Sequence, residues 1–223
     1  MISVHSIVSL DFAITQLPGW HSTLFAPYFV VGAIYSGFAM VLVLVIPIRR
    51  AFRLQDVITR RHLDKLAKLL LAMAWLLIYS YLVEVFIGWY SGNRFDRYTY
   101  LVERPFGPYA LVFWLMLAAN VLVPQLFWSG RLRRSPRVLF PAALCIVAGM
   151  WMERFVIIVT SLNRDFLPSS WHDYSPTWVD WSLLAGSVSF FFMLFFLFLR
   201  FVPFVAASEL KALRYDLSTA EAA

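Results

Sequence analysis

The sequence predicts an all-α, polytopic membrane protein with five transmembrane helices, arranged as a four-helix bundle plus one flanking helix. Of its 223 residues, 61% are hydrophobic and only 14% are charged, which is more apolar surface than a water-soluble domain can bury. Five apolar windows are also long enough to cross a hydrocarbon core of about 30 Å. They cover residues 23–48, 66–90, 106–128, 137–160 and 178–204.

The basic residues alternate between the connections, and this alternation predicts the orientation of the chain. Cytoplasmic connections are the basic ones, so we expect the N-terminus outside and the C-terminus inside. Because the charge is sorted in this way, the net charge of +6 does not indicate a nucleic-acid surface. The basic side holds Arg49, Arg50, Arg53, Arg60, Arg61, Lys65, Lys68, Arg131, Arg133, Arg134, Arg137, Arg200, Lys211 and Arg214, and the other side holds Arg94, Arg97, Arg104 and Arg164.

Three regions follow along the chain. Residues 1–21 are apolar but too short to span a bilayer, and Pro18-Gly19 ends them, so we expect a helix in the outer interface. We expect residues 22–207 to form the five-helix transmembrane domain. Residues 208–223 are charged and rich in alanine, and we expect them to be a cytoplasmic tail.

The last outer connection, residues 161–181, is rich in tryptophan, tyrosine and proline. Tryptophan and tyrosine favour the membrane–water interface, so this connection fits an interfacial belt. A docking surface for an outer partner is the other interpretation, and the composition leaves both open.

Ionisable residues interrupt two of the apolar windows. Glu84 lies in LLIYSYLVEVFIGWY, and Glu153-Arg154 lie in ALCIVAGMWMERFVIIV. A charge near the bilayer centre costs roughly 2.5–3.5 kcal/mol, so such residues are either firmly paired or functional. At 1.5 Å per residue, Glu84 lies about 7 Å and Arg154 about 10 Å below the same predicted surface. A Glu84–Arg154 or a Glu153–Arg154 ion pair is therefore feasible.

The N-terminal segment brings His5, Asp11 and His21 towards that surface, which predicts a pocket of acidic, basic and aromatic groups. Such a pocket suits a quinol, whose hydroxyl protons need acceptors and whose tail needs an apolar cleft. Asp11 and His5 are the candidate catalytic bases. Arg154 is the candidate cofactor-binding residue, because a guanidinium can bind a quinone oxygen or keep a carboxylate ionised.

Two other interpretations of the buried charges remain open at this stage. Glu84 and Glu153 are candidates for a proton path through the membrane. Alternatively, Glu84, Glu153 and Arg154 neutralise one another and simply fasten the helices together.

The histidines and the cysteine predict no metal centre or haem in this chain. A b-type haem needs histidines in the middle of facing helices, but all four histidines lie outside the windows or at their ends. The single cysteine, Cys145, cannot hold an iron–sulfur cluster, and no C-x-x-C-H motif is present. Any redox centres are therefore expected in partner subunits.

Three stretches carry a resemblance to a known family. They are SVHSIVSLDFAITQLPGWHSTLFAPYFVVGAIYSGFAMV, LVEVFIGWYSGN with FGPYA after it, and GMWMERFVIIVTSLNRDFLPSSW with YSPTWVDW. They resemble the NrfD/PsrC-type membrane subunits of quinone-linked oxidoreductases, most closely the ActC-type quinol-binding subunit of alternative complex III. The resemblance implies a menaquinol site on the outer side, in a subunit of the bacterial inner membrane that passes electrons towards cytochrome c.

The same resemblance implies the partners and the site residues. The partners would be an iron–sulfur subunit, multihaem cytochrome c subunits and a homologous membrane subunit. Asp11 and Arg154 match positions of the family's quinol pocket, His5 is a further candidate, and Glu84 and Glu153 are candidates for its proton path. The alternatives within this resemblance are the membrane subunit of a polysulfide-type anaerobic reductase and a proton-translocating module. A membrane anchor without quinone chemistry remains a further possibility.

Members of this type are roughly twice as long as this chain and contain two helical bundles. The chain resembles the C-terminal half, so we expect a fragment, a split-gene product or a truncated gene. Part of the family's quinol pocket would then lie in the half that does not match.

Overall fold

The computed structural model describes residues 2–22, 24–164 and 166–202, and all regular secondary structure in these residues is helical. The all-α fold class and the five membrane-spanning helices are confirmed. The tail predicted for residues 208–223 and the last part of the fifth window lie outside the described residues. The helices long and apolar enough to span a membrane are Phe25–Ala51, Arg60–Tyr90, Ala110–Trp128, Pro136–Asn163 and Trp178–Phe201.

Several spans change helix type along their length. The third span is α-helical up to Leu117 and then π-helical and 3₁₀-helical. The fourth span is α-helical up to Phe155, π-helical up to Thr160 and α-helical again at its end. The order is α1 (Ile2–Ala13), α2 (Phe25–Ala51), α3 (Arg60–Tyr90), α4 (Arg94–Tyr98), a π-helical segment (Thr99–Glu103), α5 (Arg104–Phe106), α6 (Ala110–Leu117), a π-helical segment (Ala118–Leu122), a 3₁₀ segment (Val123–Trp128), α7 (Gly130–Arg133), α8 (Pro136–Phe155), a π-helical segment (Val156–Thr160), α9 (Ser161–Asn163), a 3₁₀ turn (Pro168–Ser170) and α10 (Trp178–Phe201).

Two helix boundaries differ from the apolar windows because local capping sets them. The helix α3 begins at Arg60, ahead of the window, since Thr59 and His62 form a capping box that extends the helix beyond the apolar residues. The third span begins later than its window, because α5 ends at Phe106 and Gly107 is extended. Apolar length therefore located the spans, while turn chemistry decided where they begin.

The helix α2 lies at the centre of the first compact unit, which runs to Asp173. It packs against α1, α3 and α8. Small side chains at the contacts let the helix backbones approach closely, as is common in membrane bundles. The fully buried residues of this core include Tyr35, Ala39, Leu42, Ala67, Leu70, Ala74, Leu77, Ala143 and Ile146.

An ion-pair cluster fastens one end of this unit, which we call the Arg60 end because α3 begins there. The nearly buried carboxylate of Asp64 lies 3.1 Å from Lys68 Nζ and 3.1 Å from Arg133 Nε. Arg134 Nε is 3.7 Å away. The start of α3 is thereby tied to α7. The opposite end, where α3 finishes, is called the Tyr90 end.

The second compact unit begins at Tyr174 and contains α10. Thr177 caps this helix and forms a capping box with Asp180. Beyond this cap the helix is apolar and rich in phenylalanine, with Phe191 and Phe195 stacked 6.0 Å apart. A helix that is apolar on all sides is suited to contact with lipid.

Candidate functional site

A cluster of polar side chains lies inside the first unit, towards the Tyr90 end. The helix α3 contributes Tyr81 and Glu84, which are three residues apart and therefore share a face. The fourth span contributes Glu153, and the third contributes Asn120. Glu84 is 8% exposed, and Glu153 and Asn120 are 0% exposed, so these side chains point into the bundle rather than into lipid.

Glu153 joins two sides of the cluster through its two carboxylate oxygens. Its Oε2 accepts hydrogen bonds from the hydroxyl of Tyr81 and from Asn120 Nδ2, the latter at 3.4 Å. Asn120 Nδ2 also lies 3.2 Å from the Tyr81 hydroxyl oxygen. On the other side, Oε1 lies 3.5 Å from Arg154 Nη2. The carboxylate therefore connects the α3 side of the bundle to Arg154.

Glu84 is held by the connection that follows α3. Its Oε1 accepts from Arg104 Nη1 at 3.3 Å, in an ion pair whose side chains are 6% and 10% exposed. The hydroxyl of Tyr100 lies 3.1 Å from the same oxygen and 3.1 Å from the carbonyl oxygen of Gly19. The guanidinium of Arg104 also lies 4.5 Å from the centre of the Tyr100 ring.

The charge states of these loop groups follow from burial and from Glu84. Burial lowers the pKa of Arg104, but the neighbouring Glu84 and Tyr100 raise it by more, so the net pKa is raised and the guanidinium stays charged. Burial and the negative charge of Glu84 raise the pKa of Tyr100. Tyr100 therefore keeps its proton and remains a hydrogen-bond donor.

Of the two ion pairs that the sequence made feasible, the structure contains Glu153–Arg154, whereas Glu84 pairs with Arg104. Arg154 is turned towards α2, where its guanidinium lies 3.9 Å from the centre of the Phe29 ring. The absence of a side chain at Gly32 provides the space, since a methyl group there would lie 2.9 Å from Arg154 Nη2. Arg104 takes the place beside Glu84 because the connection folds back over the end of α3.

The π-helical segments of the first unit coincide with the polar cluster. Thr99–Glu103 contains Tyr100, Ala118–Leu122 contains Asn120, and Val156–Thr160 begins two residues after Arg154. A π turn inserts one extra residue into a helix, changes the direction of the neighbouring side chains and often occurs at functional sites. The backbone is thus adapted locally to aim these groups inwards.

Two glycines, Gly88 and Gly149, leave space for the ring of Tyr100 and the side-chain amide of Asn120. A methyl group at Gly88 would overlap the ring of Tyr100. A methyl group at Gly149 would lie 2.5 Å from Asn120 Oδ1. Neither position could carry a side chain without moving a group that contacts Glu84 or Glu153.

We expect Gly88→Ala to destabilise the protein by about 1–3 kcal/mol, because the added methyl group forces the Tyr100 ring away from Glu84. Denaturant unfolding in detergent measures this change. Gly37→Ala is the matched control, since nothing lies within 4 Å of a methyl group there and alanine favours a helix more than glycine does. Equal stability of the two variants would show that Tyr100 has room to move.

A cavity of about 180 Å³ adjoins the cluster between α2, α3 and the third and fourth spans. Its polar wall consists of Tyr28, Tyr81, Glu84, Tyr100, Arg104 and Glu153. The rest of the wall is apolar and includes Leu82, Val85, Phe113, Met116 and Leu117. Leu82 is 66% exposed and Val85 is 40% exposed, so the cavity reaches the outer face of α3. In a membrane, that face meets lipid.

The structure places Asp11 and His5 on α1, apart from this cavity. Asp11 is exposed and His5 is half-buried. Phe12, beside Asp11, stacks at 6.1 Å on Phe29, and the ring of Phe29 also contacts the guanidinium of Arg154. The α1 segment is therefore close to Arg154 through aromatic contacts. Among the described residues that line the cavity, Glu84 and Glu153 are present, but Asp11, His5 and Arg154 are not.

His21, which the sequence placed with His5 and Asp11 in the predicted pocket, instead contacts Asp96 and Leu17. Its Nε2 lies 3.1 Å from Asp96 Oδ2, and its Nδ1 lies 3.0 Å from the carbonyl oxygen of Leu17. Asp96 also accepts from the backbone N–H of Gly19 at 3.1 Å. These contacts hold the segment after α1 against α4.

Sequence reasoning missed Tyr81, Tyr100, Arg104 and Asn120 as cluster residues. Two of them had a signal in the sequence: Tyr81 shares the face of Glu84, and Asn120 is an amide within an apolar window. Tyr100 and Arg104 had none, because they reach Glu84 only when their connection folds back into the bundle.

Comparison with known proteins relates the chain to a family and to a curated protein. The family described as "Polysulphide reductase, NrfD" matches residues 1–164, which include all the cluster residues. A selenate reductase subunit from Mesobacillus selenatarsenatis is 26% identical over an alignment of 195 residues, which covers 82% of this chain and 44% of that protein. The chain therefore spans less than half the length of this curated relative.

Proposed function

Because the chain belongs to the polysulphide reductase NrfD family, we propose that it is a membrane subunit of a quinone-linked oxidoreductase complex, with the quinone head group in the cavity beside Glu84 and Glu153. The observation that carries this proposal is that two buried carboxylates, Glu84 of α3 and Glu153 of the fourth span, line one cavity, and that this cavity reaches the outer face of the bundle.

The residues of the cavity fit a quinone by their chemistry. A quinol releases two protons and two electrons when it is oxidised. Glu84 and Glu153 can each accept a proton, and the buried guanidinium of Arg104 can donate to a quinone oxygen. The apolar residues Leu82 and Val85 line the route from lipid, which suits an isoprenoid tail.

The protons then need a route out of the cavity, and Glu153 is the first group on the route that we propose. One oxygen contacts Tyr81 and Asn120 at the cavity, whereas the other faces Arg154. Arg154 lies beside the aromatic contacts that join α2 to the Asp11 stretch. We propose that protons leave Glu153 on this side, towards the exposed carboxylate of Asp11.

The electrons require an acceptor outside this chain, which we propose is an iron–sulfur subunit of the same complex. In the alternative complex III type, the donor is menaquinol, and the assembly also contains multihaem cytochrome c subunits and a homologous membrane subunit. The second candidate is a polysulfide-type anaerobic reductase. The family description and the name of the relative, a selenate reductase subunit, both favour a reductase.

Closing the lipid side of the cavity tests the proposal. In the assembled complex, we expect Leu82→Trp to raise the KM for a short-chain quinol at least about tenfold, because the larger side chain obstructs the cavity, with kcat affected less. Leu76→Trp is the matched control, since Leu76 is exposed on the same helix and lies outside the cavity. An unchanged KM in Leu82→Trp would contradict binding in this cavity.

A quinol pocket formed by Asp11, His5 and Arg154, as the sequence predicts, gives a different result in the same assay. If the head group binds there, Asp11→Asn and Arg154→Leu abolish quinol oxidation in an assembled complex, and Leu82→Trp has the activity of Leu76→Trp. If the chain is only a membrane anchor, all of these variants turn over normally whenever the complex assembles.

A further inference from the structure

A second cavity, of about 390 Å³, lies at the Tyr90 end of the first unit and shares no described lining residue with the first cavity. We propose that it binds the phosphate-bearing head group of an anionic phospholipid. The residues that carry this proposal are Arg94, Phe95, Tyr98, Arg164 and Trp171, which we call the arginine cavity.

The charge of the arginine cavity favours an anion. Two guanidiniums and no carboxylate are found among the described residues that line it. Arg164 Nη1 lies 3.3 Å from Glu103 Oε2, so much of its charge is already balanced. Within the described chain, Arg94 is exposed and has no hydrogen-bond or ion-pair partner. The net positive charge of the cavity is thus about that of Arg94 alone, which matches a single phosphodiester.

Arg164, the second arginine of the cavity, is held in place before any ligand binds. Arg164 donates to the hydroxyl of Tyr98 at 2.8 Å, and its guanidinium lies 5.3 Å from the centre of the Trp171 ring. Its partner Glu103 is buried, and burial raises the pKa of this carboxyl, although Arg164 opposes the change. A preformed wall of this kind lowers the entropy that a ligand loses when it binds.

The position and the walls favour a lipid over a free anion. The last turn of α3 exposes Trp89 and Tyr90, residues typical of the membrane–water interface. Arg94, Phe95 and Tyr98 of the arginine cavity follow shortly after Tyr90 in the chain, so we expect the cavity at head-group level. Phe95, Tyr98 and Trp171 are each between 39% and 44% exposed there, which provides apolar contact for the glycerol and upper acyl carbons of a phospholipid.

Thermal unfolding of the full chain in detergent micelles tests the proposal, with phosphatidylglycerol, phosphatidylcholine or inorganic phosphate added as the probe. We expect phosphatidylglycerol to raise the Tm, and Arg94→Gln to weaken the apparent lipid affinity about tenfold, since one charged hydrogen-bond donor is lost. Arg97→Gln is the matched control, because Arg97 is exposed on the same helix and lies outside the cavity.

Three outcomes would overturn the assignment. If the Tm of Arg94→Gln and that of Arg97→Gln depend equally on phosphatidylglycerol, Arg94 does not bind the lipid. A Tm increase from inorganic phosphate alone, equal to that from phosphatidylglycerol, would make the ligand a free anion. An unchanged lipid response in Arg94→Gln together with lost binding of a partner protein would make the cavity a protein-docking site. Loss of the phosphatidylglycerol response in Arg94→Gln alone supports the proposal.

Discussion

Glu153→Gln is expected to lower the quinol oxidation rate of the assembled complex by about 10²–10⁴-fold, the usual contribution of a positioned proton acceptor. Glutamine has nearly the same shape and can still accept a hydrogen bond from Tyr81, so the packing around Asn120 should persist. Its amide cannot take up a proton from the quinol. The measurement is steady-state turnover with a short-chain quinol, together with the amount of assembled complex.

The control must remove a carboxylate without touching the cavity. Asp56→Asn does so, since Asp56 is exposed in the connection between α2 and α3, and its turnover should match that of the unmodified complex. Glu153→Asp tests the role of position, because it restores an ionisable group with a shorter reach and should recover part of the rate. Full activity of an assembled Glu153→Gln complex would exclude Glu153 as the proton acceptor.

A different kind of effect is expected for Arg104→Gln, which should destabilise the protein by about 3–5 kcal/mol. Removing one partner leaves the Glu84 carboxylate buried and uncompensated, since the two side chains are only 6% and 10% exposed. Denaturant unfolding in detergent provides the measurement. Arg97→Gln removes an exposed arginine from the same connection, so its stability should stay within about 0.5 kcal/mol of the original.

A double-mutant cycle separates the ion pair from other roles of Arg104. In Glu84→Gln with Arg104→Gln, no charge remains to be compensated, so much of the lost stability should return. If the double variant is as unstable as the sum of the single variants, Arg104 stabilises the fold through its contact with the Tyr100 ring rather than through Glu84.

Stability and turnover also distinguish the two interpretations of the buried charges. If Glu84, Glu153 and Arg154 only fasten helices, their substitution changes unfolding but not the rate of the complexes that assemble. If the cavity handles protons, Glu153→Gln lowers the rate while the complex remains folded. The ion pair of Glu84 with Arg104 and the hydrogen bonds of Glu153 with Tyr81 and Asn120 make both measurements necessary.

The sequence alone determined the fold class, the five spans and the three charged residues that lie within the spans, Glu84, Glu153 and Arg154. Apolar length reveals a span because a helix rises by a fixed distance per residue and a bilayer has a nearly fixed thickness. Glu84, Glu153 and Arg154 stood out because a charge within such a window carries a large insertion cost. These are local properties, and no knowledge of neighbouring helices was needed to read them.

Only the tertiary structure decided which charges meet. Glu84 pairs with Arg104 rather than with Arg154, because the connection after α3 folds back into the bundle and Gly32 lets Arg154 turn towards Phe29. The cavity likewise exists only where four spans and the connection after α3 come together. Side-chain contacts between segments far apart in the chain depend on helix rotation and on close packing, which local sequence patterns do not encode.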